Sequence, residues 1–286
     1  RPLPRTWRTS LSAAALRPRH TRTERAVMER ATLYVDLMSQ PSRACVYFAH
    51  LCALPVEIQT ISLGKKQHRT KEFLAVNPLG QVPVLREADG FNLPESAAVL
   101  KYLADRHRAR VPDHWYPTEL RARARVNAAL DWYHGTVRRG AAGVTWNALI
   151  AKNMGLSLSR EVARSMLGVL KGSLRTLETV WLTAQAGGPF MMGAQEPCIA
   201  DLLVAEEVFN LVLLEAIDDD FDMPASLDDL LGGDHPNVRR FLAAVQELDP
   251  AKWNTLHAVL NKAKENMVKR KTANVRGGGG GGVSKL

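Results

Sequence analysis

NPLGQVPVLREADGFNLPES, residues 77–96, is the stretch whose reading decides the fold. Asn77-Pro78-Leu79-Gly80 is turn chemistry, because proline fixes φ and glycine accepts a positive φ. Val82-Pro83-Val84-Leu85 reads as a strand interrupted by proline. Proline has no N–H to give a ladder, so the strand lies at a sheet edge or the proline lies at a bend. Ala88-Asp89-Gly90 is a hairpin turn signal and Phe91-Asn92-Leu93 a short return strand. Glu95-Ser96 then opens an apolar helix, whose free N–H groups and positive dipole suit a carboxylate. Taken alone, the stretch has a second, lesser reading as an ordinary hairpin with an edge proline.

Upstream, Thr32-Leu33-Tyr34-Val35-Asp36 reads as a first strand and Val56–Ile61 as a second, alternating one. Between them a helix is expected from about 42 to 54, with Cys45, Phe48, Ala49 and Cys52 at i, i+3, i+4 and i+7. After residue 96 a helix is expected to about 108, through Val99, Leu100 and Leu103. Strand–helix–strand gives a right-handed βαβ unit by the usual rule. The whole order, βαβ–(α)–ββα, is that of an α/β thioredoxin-like N-terminal domain over residues 31–110. Its first strand–helix loop carries Ser39-Gln40-Pro41-Ser42 where a redoxin has C-x-x-C. Dithiol exchange needs two thiols, so it is excluded at this loop. A serine hydroxyl beside a helix N-terminus donates a hydrogen bond to a thiolate brought by a ligand, or simply caps the helix.

Downstream, Val111-Pro112-Asp113-His114-Trp115-Tyr116-Pro117 reads as a stiff linker, residues 111–117. From 118 no strand pattern remains. Five amphipathic helices are expected, at about 118–139, 160–183, 198–216, 236–247 and 251–269, forming an all-α C-terminal helical domain over 118–270. Val162, Met166, Val169, Leu170, Leu177 and Trp181 mark the apolar face of the second.

No apolar run approaches 18 residues, so no membrane span is expected. The chain has 286 residues and a formal net charge of +9, which suggests nucleic acid until it is partitioned. Residues 1–27 hold seven Arg and one Glu, a net +6, so the remainder carries only +3 and no nucleic-acid role is expected. Residues 1–30 have transit-peptide composition, Arg-rich and acid-poor. An untranslated leader, with Met28 as the start, is the alternative. Six glycines at 277–282 form a flexible tether inside a tail of 271–286. The tail ends in Ser284-Lys285-Leu286, a peroxisomal import address read by a receptor. Localisation is expected in the peroxisome, with the cytosol or a transit-peptide organelle as alternatives. Cys45, Cys52 and Cys198 show no metal spacing, so reduced, buried thiols and no metal are expected.

Asn77-Pro78-x-Gly80-x-Val82-Pro83, Ser39-Gln40-Pro41-Ser42-Arg43-Ala44, Asp113-His114-Trp115-Tyr116-Pro117 and the run D-W-Y-H-G-T-V-R-R-G at 131–140 together carry a resemblance. The chain resembles the theta class of glutathione transferases over roughly residues 31–268. The resemblance implies a cis bond before Pro83, with Val82 paired to glutathione's cysteinyl backbone as an added strand. It implies Ser39 as the catalytic residue, with Gln40 beside it and Ser42 left to cap. Glu95 and Ser96 would hold the γ-glutamyl end. His68, Arg69 and Gln81 would hold the glycyl carboxylate; His68 is equally readable as an exposed loop residue. Met38 and Arg138, on the first helix of the second domain, would face the electrophile, though Arg138 also reads as a plain surface residue. No cofactor beyond glutathione as co-substrate is implied, and a homodimer is. The implied activity is transfer of glutathione to small hydrophobic electrophiles, or reduction of organic hydroperoxides. A non-catalytic assembly protein and a dehalogenase-type enzyme are the alternatives. One departure from the family is Cys198-Ile199-Ala200-Asp201, where Ser/Thr-x-x-Asp is usual. A thiol is a poor cap, so this helix start is expected to be weak.

Overall fold

A computed structural model describes residues 30–153, 155–183 and 187–277. The Arg-rich leader with Met28, and the tail from 278 to Ser284-Lys285-Leu286, lie outside the described residues.

The first half forms β1 (Ala31–Val35), α1 (Gln40–Leu51), β2 (Val56–Thr60), α2 (Lys71–Val76), β3 (Val84–Arg86), β4 (Asn92–Pro94) and α3 (Ser96–Arg106). The sheet order is β2-β1-β3-β4. β2 runs parallel to β1, while β3 and β4 alternate antiparallel. The expected βαβ–(α)–ββα order therefore stands, as does the thioredoxin-like sheet followed by helices. Val82-Pro83 is cis and precedes β3, which is an internal strand, so the proline sits at a bend. β1 buries alternate residues, and Leu33 and Val35 are fully inside.

α1 corrects the expected boundary. It begins at Gln40, not Ser42, because Pro41 occupies the first turn, where a missing N–H costs nothing. Ser42 is therefore no cap: it lies inside the helix, fully buried, and its Oγ has no partner among the described residues. Nor is α1 amphipathic. Every residue from Gln40 to Ala49 is buried, because the helix is sandwiched between the sheet and the helical half. Tyr47 meets Trp253 edge-on at 5.6 Å and Phe48 meets Trp115 at 5.4 Å. The Tyr47 hydroxyl accepts from the Asp249 amide at 2.9 Å. The segment 111–117 is docked, with Trp115 and Tyr116 buried and the Tyr116 ring under the Arg123 guanidinium.

The helical half holds α4 (Leu120–Gly135), α5 (Val137–Thr145), α6 (Ala151–Asn153), α7 (Arg160–Thr176), α8 (Ile199–Phe209), α9 (Leu227–Leu231), α10 (Pro236–Gln246) and α11 (Pro250–Gly277). The single helix expected over 118–139 breaks at Thr136, whose φ of −125° and ψ of −83° are not helical. Arg138 thus opens the second helix, α5, rather than closing the first. The helix expected at 160–183 leaves the α form at Leu177, and α8 gives way to a 3₁₀ segment at Asn210. α11 outruns its expected end at 269. α7 presents Ala163, Leu167, Leu170 and Leu174 inward, whereas Val162 is 42% exposed, so the expected face was rotated by one position.

α8 forms the core of this half. All residues from Ile199 to Val208 are buried. Its start is held by Asp201, whose carboxylate accepts from the Cys198 amide and the Met191 amide, both at 2.7 Å. The expected weakness at Cys198 is offset in this way: the Asp201 carboxylate and the buried Cys198 thiol complete a capping box, the thiol facing the Asp201 amide.

Gly140 and Gly143 bring α5 against α7. A Cβ on Gly140 would stand 2.7 Å from the Leu170 backbone, which cannot yield without moving a helix. A Cβ on Gly143 meets only the flexible Met166 side chain. Gly140→Ala is therefore expected to destabilise the protein by about 1–3 kcal/mol. In Gly143→Ala the better helix propensity of alanine, about 1 kcal/mol, offsets a Met166 rotamer change. Chemical denaturation checks this: equal midpoints for the two variants contradict the close-packing account.

Candidate functional site

The strand register places one end of the sheet at the centre of the site. β1 ends at Val35, and Tyr34 pairs with Val84, so Val82 and Pro83 lie beside Asp36. Val84 pairs in turn with Pro94, which puts Glu95 and Ser96 next to Val82. On the other side Thr60 pairs with Val35, and Ile61 donates to the Val35 carbonyl at 2.7 Å. The chain then runs on to His68 and Arg69. Two helix N-termini, those of α1 and α3, open at this same end and add positive dipoles.

Local chemistry fixes each segment. Asp36 ties the first loop: Oδ1 accepts from Met38 N at 2.8 Å, Oδ2 from Leu63 N at 2.7 Å, and its carbonyl from Ser39 N at 2.9 Å. Asn77 ties the turn before Pro83, accepting from Leu79 N at 3.1 Å and donating to the Gln81 carbonyl at 2.8 Å. Gly80 has φ of 61° and lies so close that a Cβ would be 2.9 Å from the Arg69 guanidinium. A side chain there would separate the 77–83 turn from His68 and Arg69.

Ser39 is the N-cap of α1, half-buried, and makes no capping hydrogen bond. Among the described residues its hydroxyl has no partner, so its proton is available to an incoming group. His68 is buried rather than exposed, and its Nδ1 also lacks a partner among the described residues. Burial, reinforced by the Arg69 charge, lowers the His68 pKa, so the ring is neutral near pH 7. Arg69, Gln81 and Glu95 are exposed; Met38, Val82 and Ser96 are half-buried, and Pro83 is buried. Glu95 has φ of 71° at the junction of β4 and α3, a region L residues rarely occupy.

The structure separates two of the sequence-derived residues from this open group. The Gln40 carboxamide donates to Glu207 at 3.1 Å and is buried. Arg138 donates through one nitrogen to both oxygens of Glu207, at 2.9 and 3.2 Å. Tyr133 completes the set at 3.3 Å. Burial raises the Glu207 pKa above the usual carboxylate range, and the Arg138 and Tyr133 contacts oppose that rise without cancelling it. Burial opposes the Arg138 charge, but Glu207 outweighs it and holds the Arg138 pKa above its usual value. Glu95 acts on Arg138 in the same direction, which ties Arg138 to the N-terminus of α3. The residues missed by the sequence reading are Asp36, Arg43, Glu206 and Glu207. Alternation marks β1 well enough to have singled out Asp36 as the turn residue after it; the two glutamates gave no such signal. A separate cavity of 240 Å³, lined by Glu87, Phe91, Tyr102 and Arg106, opens at the opposite end of the sheet and takes no part.

Comparisons with known proteins agree on one family. Residues 39–106 match the family model described as Glutathione S-transferase, N-terminal domain. The chain is 37% identical over 245 residues to Glutathione S-transferase T1 of Arabidopsis thaliana, covering 85% of this chain and 94% of that one. It is 39% identical over 183 residues to human Glutathione S-transferase theta-2, covering 64% and 72%. A solved human theta-class glutathione transferase, in complex with the glutathione conjugate of 1-menaphthyl sulfate, superposes with a TM-score of 0.72. That match has 31% identity and covers 84% of this chain and 91% of the other.

The chain's own thiols stand apart from this site chemistry. All three cysteines are free and buried. Burial pushes the Cys45 and Cys198 thiols far up and the Cys52 thiol up to about 12, so none is a thiolate at neutral pH. Titration of the native protein with an aromatic disulfide reagent is expected to give almost no release, and three equivalents after denaturation. A fast native equivalent contradicts the burial account.

Proposed function

The chain belongs to the theta-class glutathione transferases, and from that premise we propose that Ser39 holds the thiolate of glutathione for attack on small hydrophobic electrophiles and organic hydroperoxides. The observation that carries this reading is the uncommitted Ser39 hydroxyl at the N-terminus of α1, at the sheet end where Val82, Glu95 and Ser96 converge.

Glutathione's thiol, like free cysteine, has a pKa of roughly 8.5, so little is ionised at neutral pH. A hydroxyl donor and a helix dipole both favour the charged sulfur. Val82 pairs with the cysteinyl backbone as one more strand. Glu95 takes the γ-glutamyl ammonium, and Ser96 with the α3 N-terminus takes its carboxylate. His68, Arg69 and Gln81 receive the glycyl carboxylate. The side chain of Gln40, committed to Glu207, shapes the serine loop and leaves glutathione to its neighbours. Met38 walls the acceptor site, and Arg138 offers to a leaving group or peroxide oxygen the nitrogens that have no partner among the described residues.

With an alkyl or aryl halide, the sulfur forms a bond to carbon and halide departs with the bonding pair. With a hydroperoxide, the sulfur attacks the terminal oxygen, the O–O bond breaks, and the alkoxide takes a proton to leave as the alcohol. The resulting glutathione sulfenic acid condenses with a second glutathione to the disulfide and water. A panel of an aryl halide, a benzyl halide, a dihaloalkane and cumene hydroperoxide separates these activities. Turnover of none of them contradicts the catalytic reading in favour of an assembly protein. The family further implies a homodimer; a monomer mass by light scattering contradicts it.

Ser39→Ala removes one charge-assisted hydrogen bond, worth about 1.5–3 kcal/mol, so kcat is expected to fall roughly 10–200-fold with KM for glutathione nearly unchanged. Ser42→Ala removes a buried hydroxyl without a partner and is expected to leave kcat intact. Steady-state kinetics decides: an active Ser39→Ala beside a dead Ser42→Ala reverses the assignment.

A further inference from the structure

We infer that Glu206 and Glu207, two consecutive buried carboxylates of α8, are positioning residues that clamp the Ser39 loop from both sides. The inference rests on the Ser39 reading above and names what holds that hydroxyl in place.

Ser39 lies between Leu37, two residues before it, and Gln40, the residue after it; α8 reaches Leu37 through Arg43 and Gln40 directly. On one side Glu206 Oε2 accepts from Arg43 Nε at 2.6 Å. The same guanidinium donates to the Leu37 carbonyl at 2.8 Å and to Asn210 Oδ1 at 3.1 Å. On the other side Glu207 accepts directly from the Gln40 carboxamide at 3.1 Å. The loop between them has no slack. Its amides at Met38 and Ser39 are held by Asp36, and its carbonyl at Ser39 accepts from Arg43 N at 3.1 Å. Arg43, Glu206 and Glu207 are all fully buried.

The network extends to α11. His257 Nε2 lies 2.9 Å from Glu206 Oε2, and its Nδ1 lies 2.7 Å from the Trp253 carbonyl. The ring is stacked on Trp253 at 4.0 Å. The C-terminal helix therefore braces the same carboxylate that braces Arg43.

Stability alone accounts poorly for this arrangement. Desolvation returns most of the attraction in a buried ion pair, and apolar residues of equal volume serve a core as well or better. These charges converge on Leu37 and Gln40, which bracket Met38 and the reactive hydroxyl of Ser39 in the chain. A hydrogen bond to a developing thiolate is only as good as the placement of its donor, and a loose first loop forfeits it. The fork of Arg43, with three donors in one plane, holds a carbonyl, a carboxylate and a carboxamide in fixed relation, which a lysine cannot do.

Arg43→Lys tests this directly, because it keeps the charge and loses the fork. Its kcat is expected to fall about 10-fold or more while KM for glutathione stays within about 2-fold, the pattern of a lost transition-state placement. The thiol of bound glutathione, followed by thiolate absorbance against pH, is expected to titrate about one unit higher than in the parent. In a Ser39→Ala background Arg43→Lys is expected to add almost nothing, because both changes remove the same hydrogen bond. Multiplying losses, or an unchanged thiol titration in folded Arg43→Lys, overturns the clamp while leaving the Ser39 reading intact. A fully active Ser39→Ala overturns that reading and the clamp with it. Should Arg43→Lys fail to fold, Asn210→Leu removes one acceptor of Arg43 and no charge. A raised thiol titration in Asn210→Leu supports the clamp, and a parental one overturns it.

Discussion

The structure depends on the direction of β3. Because β3 runs against β1 while β2 runs with it, three separate segments end or begin at the same edge of one small sheet. The loop after β1, the bend before β3 and the turn after β4 are then neighbours by register alone. Each carries backbone groups that the sheet no longer pairs, and two helix N-termini face them. Reversing β3 would send Val82 and Glu95 to the far end, where the Glu87–Arg106 pair lies.

α8 supplies the second constraint. Its surroundings are almost wholly apolar, yet Asp201, Glu206 and Glu207 are all fully buried there. Each carboxylate has found donors on another element: Asp201 on the chain before its own helix, Glu206 on α1 and α11, Glu207 on α1, α4 and α5. The helical half is thus joined to the sheet by directional polar contacts around Ser39 and by aromatic contacts, such as Tyr47 with Trp253, at the far end of α1. The first set bears on chemistry and the second on cohesion.

Much of this was legible in the chain. Turn, proline, hairpin and helix opening at 77–96 are local signals, and local signals survive folding. The alternation in β1 and the missing C-x-x-C are of the same kind. What stayed hidden is non-local. In L-L-V-A-E-E-V-F-N-L the two glutamates give no signal, since nothing in sequence pairs them with Arg43, Gln40 or Arg138. Ser42 resembled a cap because capping preference is stronger than the evidence of Pro41 two residues into the helix. The break at Thr136 followed Gly135, a weak stop signal, and moved Arg138 onto α5. On α7 the periodicity was right and the phase wrong, because Val162 is as apolar as its inward neighbours and only packing distinguishes them.

The central claim is that this sheet end stabilises a thiolate on a bound ligand through Ser39. Titration of the thiolate absorbance of glutathione bound to the unaltered protein tests it most directly. The account predicts a midpoint at least about one unit below the roughly 8.5 of a free thiol. A bound thiol that titrates at the free value would contradict it.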